Sequence, residues 1–263
     1  MSKCIRIGFI GFGRMGKAMA IGFSKAGLEK SCITVYDKLS SARKDAESNG
    51  FRVVETAAEV CKYSEIVIVA VKPRDVEEAV KSFANAAEGK IVVSIAALVP
   101  LKKIEELLPK SVVYRAMPNI AVEVNEGFIA LSPQSRRSEY LERVFRLLGE
   151  IEWVDEETLN MLTFYSASTP AMVAEIFDAF LLSALKAGLQ YNIAKKALST
   201  VFKGVGALLE TKSVSEVRDA VITPKGVTIK AIEKMYVYGA KQRLVKALND
   251  AYSEYEQMLS QGK

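Results

Sequence analysis

The chain has 263 residues, is 50% hydrophobic, 25% charged and 8% aromatic, and carries a formal charge of +5. That balance excludes a disordered or collagen-like chain and sets an expectation of one or two globular domains. The positive excess is spread without a run of five like charges, so it suits small anions and argues against a nucleic-acid partner.

Residues 4–10 (CIRIGFI) read as a strand, followed by glycine punctuation and a helical pattern to residue 25. A second strand is expected at 32–36 (CITVY) and a polar helix at 41–48. Further strands are expected at 52–54, 66–71, 91–95, 112–115, 128–131 and 151–154, with a helix at 76–83. Short apolar runs separated by helices predict an α/β fold with a doubly wound, mainly parallel sheet covered on both faces. After residue 155 no strand pattern remains. Residues 170–188 form a helix apolar nearly all round, interrupted by Glu175 and Asp178, which predicts burial against other helices or a partner chain. Leu244, Leu248, Ala251, Tyr252, Tyr255 and Leu259 make one apolar stripe at helical spacing. The expected division is an α/β domain over 1–157 and an all-helical domain over 158–263.

Cys4, Cys32 and Cys61 lack CxxC spacing and read as reduced thiols, with no metal site. The longest apolar stretches, 66–71 and 91–101, fall short of the about 20 residues a bilayer span requires. No signal-peptide layout is present, so the expectation is a cytoplasmic protein with no membrane partner. Histidine is absent. Proton transfer near neutral pH must therefore use a hydroxyl, a carboxylate, a lysine, a tyrosine, water or the substrate, and serine–histidine hydrolysis and His-ligated zinc are excluded.

The strongest local motif is Gly11-x-Gly13-x-x-Gly16, with Arg14 and Met15 between the last two glycines. It follows an expected strand and opens an expected helix, the context in which such glycines hold a dinucleotide pyrophosphate on helix N–H groups. Asp37 ends the second strand, where an acidic side chain accepts hydrogen bonds from the adenosine ribose of NAD. Lys38, Ser40, Ser41 and Arg43 follow at once and would suit the 2′-phosphate of NADP, or simply start the next helix. Val71, Lys72 and Pro73 end the fourth strand, where ligands bind in open α/β sheets. Ala96 and Asn119 stand at the ends of the next two; a small Ala96 leaves room for a ring, and Asn119 either hydrogen-bonds a ligand or stabilises a turn.

These residues resemble the pyrroline-5-carboxylate reductases. The likeness runs through GFIGFGRMG (8–16), AVKP (70–73), VSIAAL (93–98), RAMPN (115–119), GEIEWVDEE (149–157), SASTPAMVAEIFDAF (166–180) and RDAVITPKGVTIKAI (218–232). The resemblance implies an N-terminal Rossmann domain and a C-terminal helical dimerisation domain, hence a homodimer or an assembly of dimers. It also implies NADP(H) or NAD(H) as cofactor and 1-pyrroline-5-carboxylate as small-molecule substrate. Within it, Thr228 stands near the imine nitrogen, Thr223, Gly226 and Thr228 receive the substrate carboxylate, and Lys225 adds positive charge. Asn119 and Ser168 are further contacts.

By their letters alone, 223–228 also read as a helix N-cap with proline at the first helical position, and Ser166, Ser168 and Thr169 as caps of the long helix. Two stretches depart from the family pattern. SASTPAM stands where the family has Ser-Gly-Ser-Gly-Pro-Ala-Tyr, and Lys225 replaces a glycine, which puts the backbone there in question. Arg14 replaces a common asparagine. A β-hydroxyacid dehydrogenase would need a lysine within 166–180, and there is none. A deazaflavin-dependent NADP reductase does not account for TPKGVT. Reduction of another small cyclic imine or acid, and a non-catalytic nucleotide-sensing or scaffold role, remain as alternatives.

Overall fold

A computed structural model describes residues 5–261. The first half alternates strands and helices: β1 (Ile7–Ile10), α1 (Arg14–Lys25), β2 (Ile33–Tyr36), α2 (Ser40–Ser48), β3 (Arg52–Val53), α3 (Ala57–Tyr63), β4 (Ile66–Val69) and α4 (Val76–Phe83). Then come β5 (Ile91–Ser94), α5 (Leu101–Leu107), β6 (Val112–Pro118), β7 (Gly127–Ser132), α6 (Glu139–Phe145), β8 (Gly149–Trp153) and α7 (Glu156–Leu162). All eight strands join one sheet in the order β3-β2-β1-β4-β5-β6-β7-β8. It is parallel from β3 to β6, β7 pairs antiparallel with β6, and β8 runs parallel to β7.

The sheet is buried on both faces, so its strands are continuous apolar runs in which alternate residues serve opposite cores. In β4, Ile66 and Ile68 join one core with Phe9, Phe23, Phe145 and Trp153, while Val67 and Val69 join the other with Ile10, Val80, Phe83 and Ile104. Full burial of each such side chain contributes on the order of 1.5–3 kcal/mol. The order reverses between β1 and β4, which opens a crevice at the carboxyl ends of those strands.

The strand and helix expectations hold apart from their ends. Helices α3, α5, α6 and α7 escape the sequence reading because seven residues make barely two turns, too few for a clear period. Local capping marks three of them: Thr56 Oγ1 accepts from the Glu59 amide at 3.2 Å, Ser138 Oγ from Leu141 at 3.3 Å, and Asp155 Oδ1 from Thr158 at 2.7 Å. The Thr158 amide holds the Asp155 carboxyl below the usual carboxylate range.

Strand β6 runs on past Arg115, which was expected to end it. Arg115 is buried within the strand, its side chain 1% exposed, and meets Glu156 Oε1 at 2.7 Å and Asn160 Oδ1 at 3.0 Å. Glu156 Oε1 also accepts from the Leu101 amide at 2.7 Å, so one carboxylate ties α7, α5 and β6 together. By its contacts the chain forms two compact units, the first running to Pro170 and taking in 258–261, the second Ala171–Gln257.

The cysteine expectation needs correction. Cys61 is a free, buried thiol pushed up to about 11 by desolvation, but Cys32 is disulfide-bonded, and Cys4 lies outside the described residues.

The second unit contains most of α8 (Thr169–Lys186), then α9 (Tyr191–Leu209), α10 (Val214–Asp219), α11 (Val227–Val237) and most of α12 (Ala240–Gln261). Phe202 of α9 meets Phe177 and Phe180 of α8 edge-on at 5.3 and 5.9 Å. Of the two covers expected for α8, helices of its own chain leave most of it exposed. Leu181 is its one buried residue, while Val173, Ile176, Phe180 and Leu182 are exposed.

Replacing Glu156 with alanine leaves the buried Arg115 guanidinium without its counter-charge. Because the Glu156 side chain is itself about a third exposed, the expected loss is about 2–3 kcal/mol, below that of a fully buried pair. The midpoint of urea unfolding measures it, and an unchanged midpoint would reject this role.

Candidate functional site

The site begins where β1 ends. Gly11 has φ +101°, and a Cβ there would stand 2.6 Å from the Ala70 carbonyl oxygen. Its N–H donates to Tyr36 O at 2.8 Å, which draws the ends of β1 and β2 together. At Gly16 a Cβ would run into the Gly11 carbonyl, so α1 seats against the strand only because both positions are glycine. Gly13 differs: a Cβ there would meet nothing within 4 Å. It is the N-cap of α1, and no side chain caps the helix. First-turn N–H groups have no partner within a helix, and here they stand beside open space.

That space is a cleft of about 440 Å³ lined by residues from the ends of β1, β2 and β4 and the start of α4. Of the residues expected at a dinucleotide, it gathers Gly11, Gly13, Asp37, Lys38, Val71 and Lys72. Asp37 Oδ2 accepts from the Phe12 amide at 2.7 Å and Oδ1 from the Leu39 amide at 2.8 Å, so its carboxylate is fixed at the rim. Lys38 Nζ pairs with Asp75 Oδ1 at 2.8 Å. That hydrogen bond raises the lysine above its usual range and holds the Asp75 carboxyl below its own. Arg43 does not line the cleft; its Nη1 donates to the carbonyls of Asp37 and Lys38 at 2.8 and 3.4 Å.

Other expected residues lie apart from the cleft lining. Arg14 is exposed, Met15 packs on the core, Gly16 serves packing, and Pro73 opens a 3-10 turn. Ala96 and Asn119 follow β5 and β6, farther along the same carboxyl edge. Arg115 Nη2 approaches the Ala96 carbonyl at 3.4 Å, linking the buried arginine to this edge. Asn119 Oδ1 accepts from Ala121 at 3.2 Å and Phe128 at 3.4 Å, so it does stabilise a turn, while its Nδ2 makes no hydrogen bond among the described residues. The sequence reading missed Arg74, Asp75, Glu78 and Ser82 on the cleft wall. The signal was Pro73, since the residues after a strand-end proline return over the sheet edge.

The serine-rich stretch is not a helix cap. Thr163–Ser168 is a π-helical turn between α7 and α8, inside one helical run. Ser168 Oγ donates to Thr163 O at 3.4 Å and Thr169 Oγ1 to Tyr165 O at 2.7 Å, whereas Ser166 Oγ is buried with no partner among the described residues. Such turns are rare and favour functional positions.

In the second unit, 223–226 turn into α11. Capping by Thr223 with proline at the first helical position is overturned: the helix starts at Val227 and Gly226 is its N-cap. The Gly226 N–H donates to Thr223 O at 3.0 Å, so that amide closes the turn and is not open to a carboxylate. Lys225 takes φ +61°, a left-handed conformation costing a non-glycine residue roughly 1–2 kcal/mol. The lysine thus keeps a backbone shape that glycine adopts freely. No side chain caps α11, and the hydroxyls of Thr223 and Thr228 make no hydrogen bond among the described residues, with Thr228 half-buried.

Family models match two separate stretches of the chain. A family model described as "NADP oxidoreductase coenzyme F420-dependent" matches residues 6–98, and one described as "Pyrroline-5-carboxylate reductase dimerisation" matches 156–258. Pyrroline-5-carboxylate reductase of Aquifex aeolicus is 31% identical, over 93% of this chain and 94% of the relative. That of Methanosarcina acetivorans is 32% identical, over 92% and 94%. The structure of Plasmodium falciparum pyrroline carboxylate reductase with NADP bound superposes with a TM-score of 0.83 at 22% identity, covering 97% of this chain and 98% of that one.

The glycines separate by experiment. Gly13→Ala should change stability by no more than about 1 kcal/mol, since the new methyl enters open space and loses only a modest cap preference. Gly16→Ala should cost at least about 2 kcal/mol, because a backbone carbonyl must move. Urea unfolding of both variants checks this; equal losses would contradict the geometry.

Proposed function

Since the chain belongs to the pyrroline-5-carboxylate reductase family, we propose that it reduces 1-pyrroline-5-carboxylate to proline with NADPH or NADH, in the cytoplasm, as a homodimer or an assembly of dimers. The observation that carries this reading is the end-to-end match to relatives of that name, with the glycine cleft in one unit and the TPKGVT loop in the other.

A dinucleotide fits the residues present: Gly13 leaves open the space a Cβ would fill, α1 begins uncapped, and Asp37 is fixed at the rim. The first-turn N–H groups of α1 hold the pyrophosphate, Asp37 accepts from ribose hydroxyls, and Val71 and Lys72 form the wall. Asn119 Nδ2 is a donor for a carboxamide or for the substrate, and Ala96 leaves room beside it. When bound, the nicotinamide supplies hydride to the imine carbon.

In the helical unit, the Thr223 and Thr228 hydroxyls with the first amides of α11 bind the substrate carboxylate, and Lys225 adds positive charge. Gly226 shapes that corner rather than donating. Thr228 directs its hydroxyl toward the imine nitrogen as donor or as anchor for a water, and Ser168 contributes a further polar contact. Holding two reactants in register is worth roughly 7–11 kcal/mol, against ~10²–10⁴-fold for a general acid. A cyclic imine is basic enough to arrive protonated, so a chain without histidine can do this work.

The apolar helical run over Glu156–Lys186 has the length and composition of a membrane span. Glu175 and Asp178 within it, and the dimerisation match over 156–258, favour a second copy as its cover.

Purified protein should deplete NADH or NADPH absorbance only when 1-pyrroline-5-carboxylate is added; no depletion with either dinucleotide would overturn the reading. Thr228→Ala should lower kcat about 10²-fold, the range for losing one positioned donor, with dinucleotide affinity within about three-fold of the parent. Equal losses in both would remove Thr228 from the substrate site.

A further inference from the structure

We infer that the cleft is built for a dinucleotide with a free 2′-hydroxyl, so that NADH binds in preference to NADPH, with Asp37 as the residue that discriminates. This rests on the reading of the glycine cleft as the dinucleotide site.

Asp37 follows β2, whose last residue receives the Gly11 N–H, so its carboxylate stands at the rim next to the glycine turn. Two backbone amides hold it, Phe12 N–H on Oδ2 at 2.7 Å and Leu39 N–H on Oδ1 at 2.8 Å, and it cannot swing aside without breaking both. Each oxygen keeps a lone pair, so the pair of oxygens suits adjacent ribose hydroxyls. A 2′-phosphate brings a charge of about −2 to the same place and carries no proton to share at neutral pH.

Of the cations near the rim, Lys38 and Arg43 are engaged elsewhere, and Lys72 and Arg74 are balanced by the acidic residues of the wall. Lys38 Nζ is on Asp75 at 2.8 Å. Arg43 donates to two backbone carbonyls, faces Glu55 at 3.6 Å and does not line the cleft. Arg74 is 80% exposed, with its Nε 3.9 Å from Asp75. The charged residues lining the cleft are Lys38, Lys72 and Arg74 against Asp37, Asp75 and Glu78, so the wall offers no surplus positive charge for an added phosphate. Ser40 and Ser41 are also absent from the lining.

The test titrates the full chain with NADH and with NADPH, read by nicotinamide fluorescence. Calorimetric titrations with ADP-ribose and 2′-phospho-ADP-ribose isolate the 2′ group from the nicotinamide. In both pairs the unphosphorylated ligand should bind at least about ten-fold tighter. Asp37→Asn keeps an acceptor for one amide and removes the charge; it should narrow the ratio by tightening the 2′-phosphorylated ligands, with thermal melting to verify the fold. Asp75→Asn, which frees Lys38 and leaves the Asp37 hydrogen bonds in place, should also tighten NADPH while leaving NADH within about two-fold. Equal or tighter binding of NADPH by the parent chain overturns the inference and leaves the enzyme reading standing. Binding of neither dinucleotide overturns both.

Discussion

At the end of β1 the backbone passes closer to its neighbours than any side chain permits. Gly11 sits against the Ala70 carbonyl, and α1 can seat on the strand only because Gly16 adds nothing between itself and Gly11. The geometry of the cleft follows from that approach. It aims the start of α1 into the crevice between β1 and β4, and it brings the Phe12 amide to the Asp37 carboxylate. A turn that opened by one methyl group would separate the helix amides from the acidic rim, and the proposed nucleotide site would lose its frame.

The two units divide physical labour differently. The first buries its strands on both faces and holds an arginine inside β6 by an ion pair with Glu156. In the second, Phe202 meets Phe177 and Phe180, while Val173, Phe180, Leu182 and Val201 are exposed. Exposed apolar surface on helices is a feature of faces that meet partners, and residues 156–258 match a dimerisation family.

Much of this was legible in the sequence, for identifiable reasons. The strands announced themselves because burial on two faces demands unbroken runs of Ile and Val, as in Ile66–Val69. The glycine motif was legible because its spacing is imposed by the turn. Arg115 was not, since a charge inside a strand looks like the strand's end until its partner Glu156, 41 residues on, is in place. The role of 223–226 was half legible: threonine, proline and glycine signal a corner, but which amide closes it depends on φ at Lys225. The pairing of Lys38 with Asp75 joins positions 37 residues apart and has no local signature.

The π-helical turn at Thr163–Ser168 has a consequence for how the long helix is partitioned. Each π-type turn takes up one residue beyond the α-helical count, and a residue is worth about 100° around the axis. Side chains after Ser168 therefore point in a direction that an uninterrupted wheel drawn from Glu156 would misassign. Leu159, ahead of the turn, is buried with Met117 and Ala130, so the phase change falls just past the stretch that packs on the sheet.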